Sequence, residues 1–341
     1  MPCHDHRVQP GIRQPVHDAY WRFAAERQRV FHKRASGETR PWTNDPIIAS
    51  FKFCNVYRAS DRVSQYLIRN VIYGPAADGL DPEDVFVRIV LFRLFSKITT
   101  WVEIERAAGI LRRQSLRTDS LADLLDVVRS RQPIYTSAFI LCASNPFGYQ
   151  SKHRNHLALV REMFRPGRLG RQLVKARSLR QVYESLVDWP MVGPFMGYQL
   201  AIDLNYSEYF SFSEDDFTVP GPGAIRGLRK VFSDFGGFTP SLLIMRMVER
   251  QEHEFERLGL EWLDLFGRRL HAIDAQGLFC EIDKYSRIAF PNLKSNRTRI
   301  KHKFHPTAEP LDLFYPPKWQ INKFIHRQSI TSGYSRGVSA K

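Results

Sequence analysis

The stretch Leu186-Val187-Asp188-Trp189-Pro190-Met191-Val192-Gly193-Pro194-Phe195-Met196-Gly197-Tyr198-Gln199-Leu200-Ala201 reads as the end of one helix, a Pro-x-Val-Gly turn and the start of a second helix. In such a pair the glycine lets the backbone turn tightly. The amides that open the second helix carry free N–H groups at the positive end of the helix dipole, a setting that favours phosphate. An ordinary turn between two helices, about five residues long, reads the same way. The flanking sequence therefore has to carry the reading further.

Downstream lie Asn205-Tyr206-Ser207-Glu208-Tyr209-Phe210-Ser211-Phe212-Ser213-Glu214-Asp215-Asp216-Phe217-Thr218-Val219 and Pro220-Gly221-Pro222-Gly223-Ala224-Ile225-Arg226-Gly227-Leu228. Together with the turn, this region resembles the HhH-GPD superfamily of DNA glycosylases. There a helix-hairpin-helix with a Pro-Gly-Val-Gly core precedes a catalytic aspartate at the mouth of another helix, and the Asp-Asp-aromatic context is similar to the alkyladenine-type branch. The resemblance implies Asp216 as the catalytic acid, with Asp215 in reserve, and Val192, Gly193 and Phe195 against DNA. An ionised carboxylate beside the anomeric carbon stabilises the positive charge that builds when an N-glycosidic bond breaks, and can orient the attacking water. Capping of the following helix is the alternative role for both aspartates. Bifunctional members carry a Schiff-base lysine where this chain has Phe195, so the resemblance implies a monofunctional hydrolase that leaves abasic sites without β-lyase cutting. Their cluster-binding cysteines are missing as well.

A closer resemblance runs over residues 46–305. Phe53-Cys54-Asn55-Val56-Tyr57-Arg58-Ala59-Ser60-Asp61-Arg62, then Phe212 to Phe217 with Gly221-Pro222-Gly223-Ala224, then Gly277-Leu278-Phe279-Cys280-Glu281-Ile282-Asp283-Lys284-Tyr285, are similar to a phage-associated group of glycosylase-fold proteins. That group is named for α-glutamyl/putrescinyl thymine pyrophosphorylases and for the helical domain of 5-hydroxymethyluracil DNA kinases. It implies action on hypermodified pyrimidines in DNA, either building them or attacking them. No GxxxxGK[ST] phosphate-binding loop occurs, so the sequence does not support the kinase activity of the fused relatives. Asn55, Tyr57, Arg58, Asp61, Tyr198 and Lys284 are candidates for a pocket that reads the base. A buried polar network between helices, with Arg58 paired to Asp61 or Asp283, is the competing reading.

The 341 residues are 43% hydrophobic and 25% charged, enough for one large core or two modest ones, and exclude a disordered or fibrous chain. Fifty Lys+Arg against 35 Asp+Glu leave a formal charge of +15, which favours a polyanionic partner. Residues 150–180 hold nine Lys/Arg against Glu162 alone, and residues 285–341 hold eleven against two acids. Lys152, Arg154, Arg226, Arg299 and Lys301 are candidate phosphate contacts, which would make DNA affinity strongly salt dependent. A solvated helix face is the alternative for each run. His153 and His156 form an HxxH without a partnering acid or cysteine nearby in sequence, and no metal or other cofactor is expected.

The most apolar stretch, Val85 to Ile98, is interrupted by Arg88, Arg93 and Lys97, so no membrane span is expected. The N-terminus lacks a secretory apolar region and the four cysteines are scattered, which points to a reduced, cytoplasmic protein. Periodicity is helical almost throughout. It is clearest where Asp81-Pro82-Glu83-Asp84 supplies a cap, a first-turn proline and first-turn acids ahead of an apolar face. Further helices are expected over 101–111, 119–129, 134–143, 153–164, 178–187, 194–204, 223–233, 240–257, 260–270 and 277–288. The expectation is thus an all-α fold, two-lobed and glycosylase-like by resemblance. A basic N-terminal arm (1–45) would precede a helical core (46–305, with the hairpin and catalytic segment at 186–230) and a basic tail (306–341). The expected function is base-flipping hydrolysis of a hypermodified pyrimidine, such as glucosylated hydroxymethylcytosine, in double-stranded phage DNA by a monomeric anti-phage enzyme. The alternative is transfer of an amine in place of pyrophosphate on 5-hydroxymethyluracil.

Overall fold

The computed structural model describes residues 8–136, 144–293, 297–300, 302–306 and 311–325. Among them every regular element is helical, and the only β-type pairings are isolated bridges. The fold is all-α. No described helix is long and apolar enough to cross a membrane.

The chain forms two compact units. Unit 1 begins with α1 (Gln14–Ala35) and the short α2 (Pro46–Ser50), which Asp45 caps by accepting from the amides of Ile47 and Ile48. Unit 2 follows from Arg62. It holds α3 (Arg62–Tyr66), a π-helical continuation over Leu67–Ile72, α4 (Pro82–Phe95), α5 (Ile98–Ala108), α6 (Ser120–Arg131) and α7 (Lys152–Met163). It closes with α8 (Leu169–Lys175), α9 (Leu179–Val187) and α10 (Pro194–Asn205). The chain returns to unit 1 at Phe217 with α11 (Pro222–Val231), α12 (Pro240–Glu249), α13 (Gln251–Arg257) and α14 (Ala272–Ala289).

The expected start of α4 is present: Asp81 Oδ1 accepts from the Asp84 amide at 3.0 Å, with Pro82 in the first turn. Every residue from Asp84 to Phe95 is buried, so α4 is the central helix of unit 2, in contact with α5, α7, α8 and α10. The arginines that interrupt its apolar run are paired in place. Arg88 meets Glu105 at 2.7 Å and lies over the Trp101 ring, and Arg93 forms a two-pronged pair with the fully buried Asp203 on α10.

In unit 1 the dominant packing is α11 against α14. It depends on Gly227, where an added Cβ would come to 1.9 Å from the Phe279 carbonyl oxygen. The helix α1 packs on both α11 and α14, burying Val16, Tyr20, Trp21, Phe23, Ala24 and Phe31 among others.

Several expectations need correction. Residues 1–45 are not an arm, because α1 puts half of its length into the core of unit 1. Residues 306–341 are not simply a tail: Leu313, Tyr315 and Ile321 are buried, and Phe314–Trp319 belongs to unit 2. There the Lys318 ammonium donates to the carbonyls of Asn205, Ser207 and Phe210 and closes the C-terminal end of α10. The helix expected over 240–257 breaks at Arg250 into α12 and α13, and residues 260–270 are irregular. Residues 134–136 are not helical, and 137–143 lie outside the described residues.

Candidate functional site

In unit 2, α9, a short turn and α10 follow one another as the sequence predicts, and the two helices pack on each other. The left-handed residue of its turn is Met191, at φ 66°, and not Gly193, which caps α10 at φ −73° and ψ 169°. A Cβ at Gly193 would meet nothing within 4 Å, so neither conformation nor packing inside the chain demands glycine there. Gly193 and Pro194 are exposed, Phe195 is half-buried, and Val192 is buried, its side chain turned into the fold.

The basic run at 150–180 divides in two. Arg154 is taken by Asp126 (2.5 Å) and Asp123 (2.6 Å), Arg161 by Asp119 (2.7 Å) and the Leu116 carbonyl, and Arg165 by Glu162. Lys152 lies over the Tyr135 ring. By contrast Arg168, Arg171, Lys175 and Arg177 are exposed and make no ion pair among the described residues. They lie on and around α8, which packs on α9, and the Arg168 guanidinium stacks over Trp189 in the α9–α10 turn. This cationic face beside the hairpin is the part of the run that is free to meet phosphates.

The HxxH histidines are buried against neighbouring side chains. His153 Nε2 lies 2.9 Å from Asp126, while His156 Nδ1 and the Tyr135 hydroxyl are 2.8 Å apart. Burial drives the His156 imidazole down to about 3.

Asp215 and Asp216 lie in an irregular segment ahead of α11, whose cap is Gly221, so neither aspartate caps that helix. The Asp215 amide donates to Ser213 Oγ. Asp216 is exposed and has no hydrogen bond or ion pair among the described residues.

Unit 1 contains a buried charge cluster built on α14. Asp283, 1% exposed, faces three cations: Arg287 at 2.6 Å, Arg226 at 3.2 Å and Lys230 at 3.2 Å. Burial alone would raise its carboxyl, but Arg287, Lys230 and Arg226 together hold it below the usual carboxylate range. Burial outweighs the help of Asp283 at Lys230 and lowers its ammonium. Arg226, expected at the DNA, is therefore engaged inside the fold.

A second part of the cluster holds most of the expected base-pocket residues. The Asn55 amide side chain accepts from Arg27 at 2.6 Å and donates to the Ser60 carbonyl, and its backbone N–H donates to Asp61. Burial lifts the Asp61 carboxyl to about 6 against the Asn55 N–H, Arg27 and Arg58, with Glu281 adding to the rise. The Arg58 amide donates to Asp274, and Tyr57, 1% exposed, donates its hydroxyl proton to the Arg268 carbonyl. Lys284 is paired to Glu281 at 2.6 Å, which raises its ammonium in spite of burial. Burial pushes the Cys280 thiol up to about 12, and the neighbouring Asp61 and Glu281 push the Cys54 thiol up, so neither is a ready nucleophile. Tyr198 is buried on α10 of unit 2, so the structure does not gather all six pocket candidates within one unit. Arg299 is exposed with its carbonyl accepting from Arg287, and Lys301 lies outside the described residues.

Sequence reasoning missed Lys230 and Arg287. The i,i+4 spacings Arg226/Lys230 on one helix and Asp283/Arg287 on the next were the available signal.

The family model of the 5-hmdU DNA kinase helical domain matches residues 14–295. The chain belongs to that family. A 5-hmdU DNA kinase of Bacillus phage SP10 is 26% identical over 298 residues, which cover 82% of this chain and 46% of that relative. The chain thus spans about half the length of the curated relative it matches. No solved structure matches. Family membership corrects the expectation of an anti-phage DNA N-glycosylase that leaves abasic sites. The matching family and relative are named for a kinase, a phosphoryl transferase, and neither name includes glycosidic hydrolysis. Neither names amine-for-pyrophosphate transfer or the HhH-GPD superfamily, so the wider resemblance stands on residues 186–230 alone.

Proposed function

We propose that this chain is a DNA-engaging helical module that acts in the modification of 5-hydroxymethyldeoxyuridine and binds duplex DNA containing that base. The observation that carries the reading is the family match over residues 14–295, a stretch that includes the exposed cations around α8 and the adjoining α9–α10 turn. In this reading Arg168, Arg171, Lys175 and Arg177 supply sequence-independent attraction, and the amides after Gly193 fix one phosphate. Asp216, exposed and unpartnered among the described residues, accepts a hydrogen bond from the 5-hydroxymethyl O–H, which the methyl of thymine cannot offer. The sequence holds no GxxxxGK[ST], so the reading gives these residues no phosphoryl transfer through such a loop.

The test is fluorescence anisotropy with two duplexes that differ only in carrying 5-hydroxymethyluracil or thymine. The expected result is at least about tenfold tighter binding of the modified duplex, the worth of one hydrogen bond to a charged group. Asp216→Ala should remove that preference and leave the affinity for the thymine duplex unchanged. Equal affinities of the unaltered chain for both duplexes would reject the reading.

A further inference from the structure

Unit 1 contains a cavity of about 50 Å³ whose lining includes Arg27, Arg34, Arg40, Trp42, Phe53 and Phe304 and, among the described residues, no carboxylate. Allowing about 10–15 Å³ per water position, it holds roughly four waters, the scale of a single phosphate group. Three guanidiniums line one cavity with no acid in its described lining; Asp61 and Glu281 offset Arg27, whereas no carboxylate offsets the burial of Arg34.

Each arginine has donors to offer. Arg27 is 6% exposed and bonds Asn55 through Nη2, while its buried Nη1 has no hydrogen-bond partner. Arg34 lies over the rings of Trp42 (5.3 Å) and Phe304 (5.9 Å), and Arg40 lies over Trp42 at 5.7 Å. Stacking uses the faces of a guanidinium and leaves its edge N–H groups available to a ligand. Burial lowers Arg34 with no carboxylate offsetting it; burial also lowers Arg27, with Arg34 adding to the fall and Asp61 and Glu281 opposing it. The nearest acids along the chain are committed elsewhere. Glu26 accepts from Arg29 and Thr43, Glu38 accepts from Ser36, and Asp45 caps α2 and accepts from Tyr285.

We infer that this cavity is a binding site for a phosphate group, with Arg27, Arg34 and Arg40 gripping the phosphate and Trp42 and Phe304 flanking it. The inference goes beyond the proposed DNA reading, because the phosphate comes either from a free nucleotide or from a DNA strand, and the residues of this site belong to unit 1 while α8 to α10 belong to unit 2.

Trp42 provides the readout. Its fluorescence is isolated by subtracting the Trp42→Phe variant from the unaltered chain during titration with deoxyuridine, deoxyuridine monophosphate, inorganic pyrophosphate and an unmodified duplex. The expected result is a saturable Trp42 change with the monophosphate or pyrophosphate and none with the nucleoside. A change with the duplex alone assigns the phosphate to DNA and still supports the site. Arg34→Gln and Arg40→Gln should each weaken binding roughly tenfold or more. Arg40 is exposed, so its variant keeps the fold, which far-UV circular dichroism verifies. A Trp42 signal that none of the four probes alters, or an affinity that Arg40→Gln leaves unchanged, would overturn the inference. The monophosphate and pyrophosphate titrations need no modified base, so their outcome is separate from that of the 5-hydroxymethyluracil test.

Discussion

Replacing Arg168, Arg171, Lys175 and Arg177 together by glutamine tests whether the face around α8 meets DNA. All four are exposed and none makes an ion pair among the described residues, so each is free to displace a condensed counterion. A phosphate contact contributes about 0.9 to the slope of log affinity against log salt, so four contribute up to about 3.6. Between about 50 and 200 mM salt the unaltered chain should therefore lose roughly 150-fold more affinity than the quadruple variant. Anisotropy titrations on one unmodified duplex at five salt concentrations give both slopes. The paired half of the run is the control. Arg154→Gln and Arg161→Gln remove cations already held by Asp123, Asp126 and Asp119, and should leave the slope unchanged and the stability little altered. A quadruple variant with the slope of the unaltered chain would refute the reasoning. So would an Arg154 variant whose slope falls as far as that of the quadruple.

Other outcomes follow from the buried sites. Asp283→Asn leaves three buried or half-buried cations without their counter-charge, and urea titration should show a loss of about 3–5 kcal/mol, partly restored by adding Lys230→Met; a loss under about 1 kcal/mol counts against the cluster. The burial-raised carboxyl of Asp61 makes the native chain hold a proton between its usual value of 3.8 and about 6. The stability this gives is complete below about 3.8 and is lost as pH rises through about 6, so the stability of the unaltered chain relative to Asp61→Asn should fall by up to about 3 kcal/mol between about pH 4 and 7; parallel pH profiles would contradict it. Gly227→Ala forces a methyl against the Phe279 carbonyl and should cost at least about 3 kcal/mol by thermal melting. Gly193→Ala meets open space and should cost under about 0.5 kcal/mol while weakening duplex binding, a combination that a purely structural turn would not produce.

What was legible in the sequence was local. The start of α4 is written in four consecutive residues, Asp81 to Asp84, and the α9–α10 turn in Pro190 to Pro194, because caps and prolines act within one helical turn. What was not legible depends on distant partners. The buried face of α1 includes His17, Arg27 and Gln28, so its amphipathic signal is weak, and its packing partners α11 and α14 come about 190 and 240 residues later. The acids that occupy Arg154 and Arg161 lie about 30 to 40 residues upstream on or beside α6, out of reach of any pattern read within the basic run. The turn glycine misled for a different reason: Met191 takes the left-handed conformation that glycine usually supplies, which leaves Gly193 without an internal purpose. Chemistry was the least legible of all, since similar motifs on one helical scaffold serve different reactions.

The order in which α1 and its partners leave a ribosome is a consequence of unit 2 being inserted into unit 1. Synthesis at about 5–20 residues per second means that α1 waits roughly 10 to 40 seconds before α11 emerges. Through that interval Tyr20, Trp21, Phe23 and Phe31 have none of the α11 or α14 surface they will cover. Most of unit 2, from Arg62 to Asp216, is contiguous and can condense meanwhile. A nascent chain arrested before α11 would carry the contiguous part of unit 2 behind an aromatic helix whose partners have yet to emerge, and would still lack the Lys318 contacts that close α10.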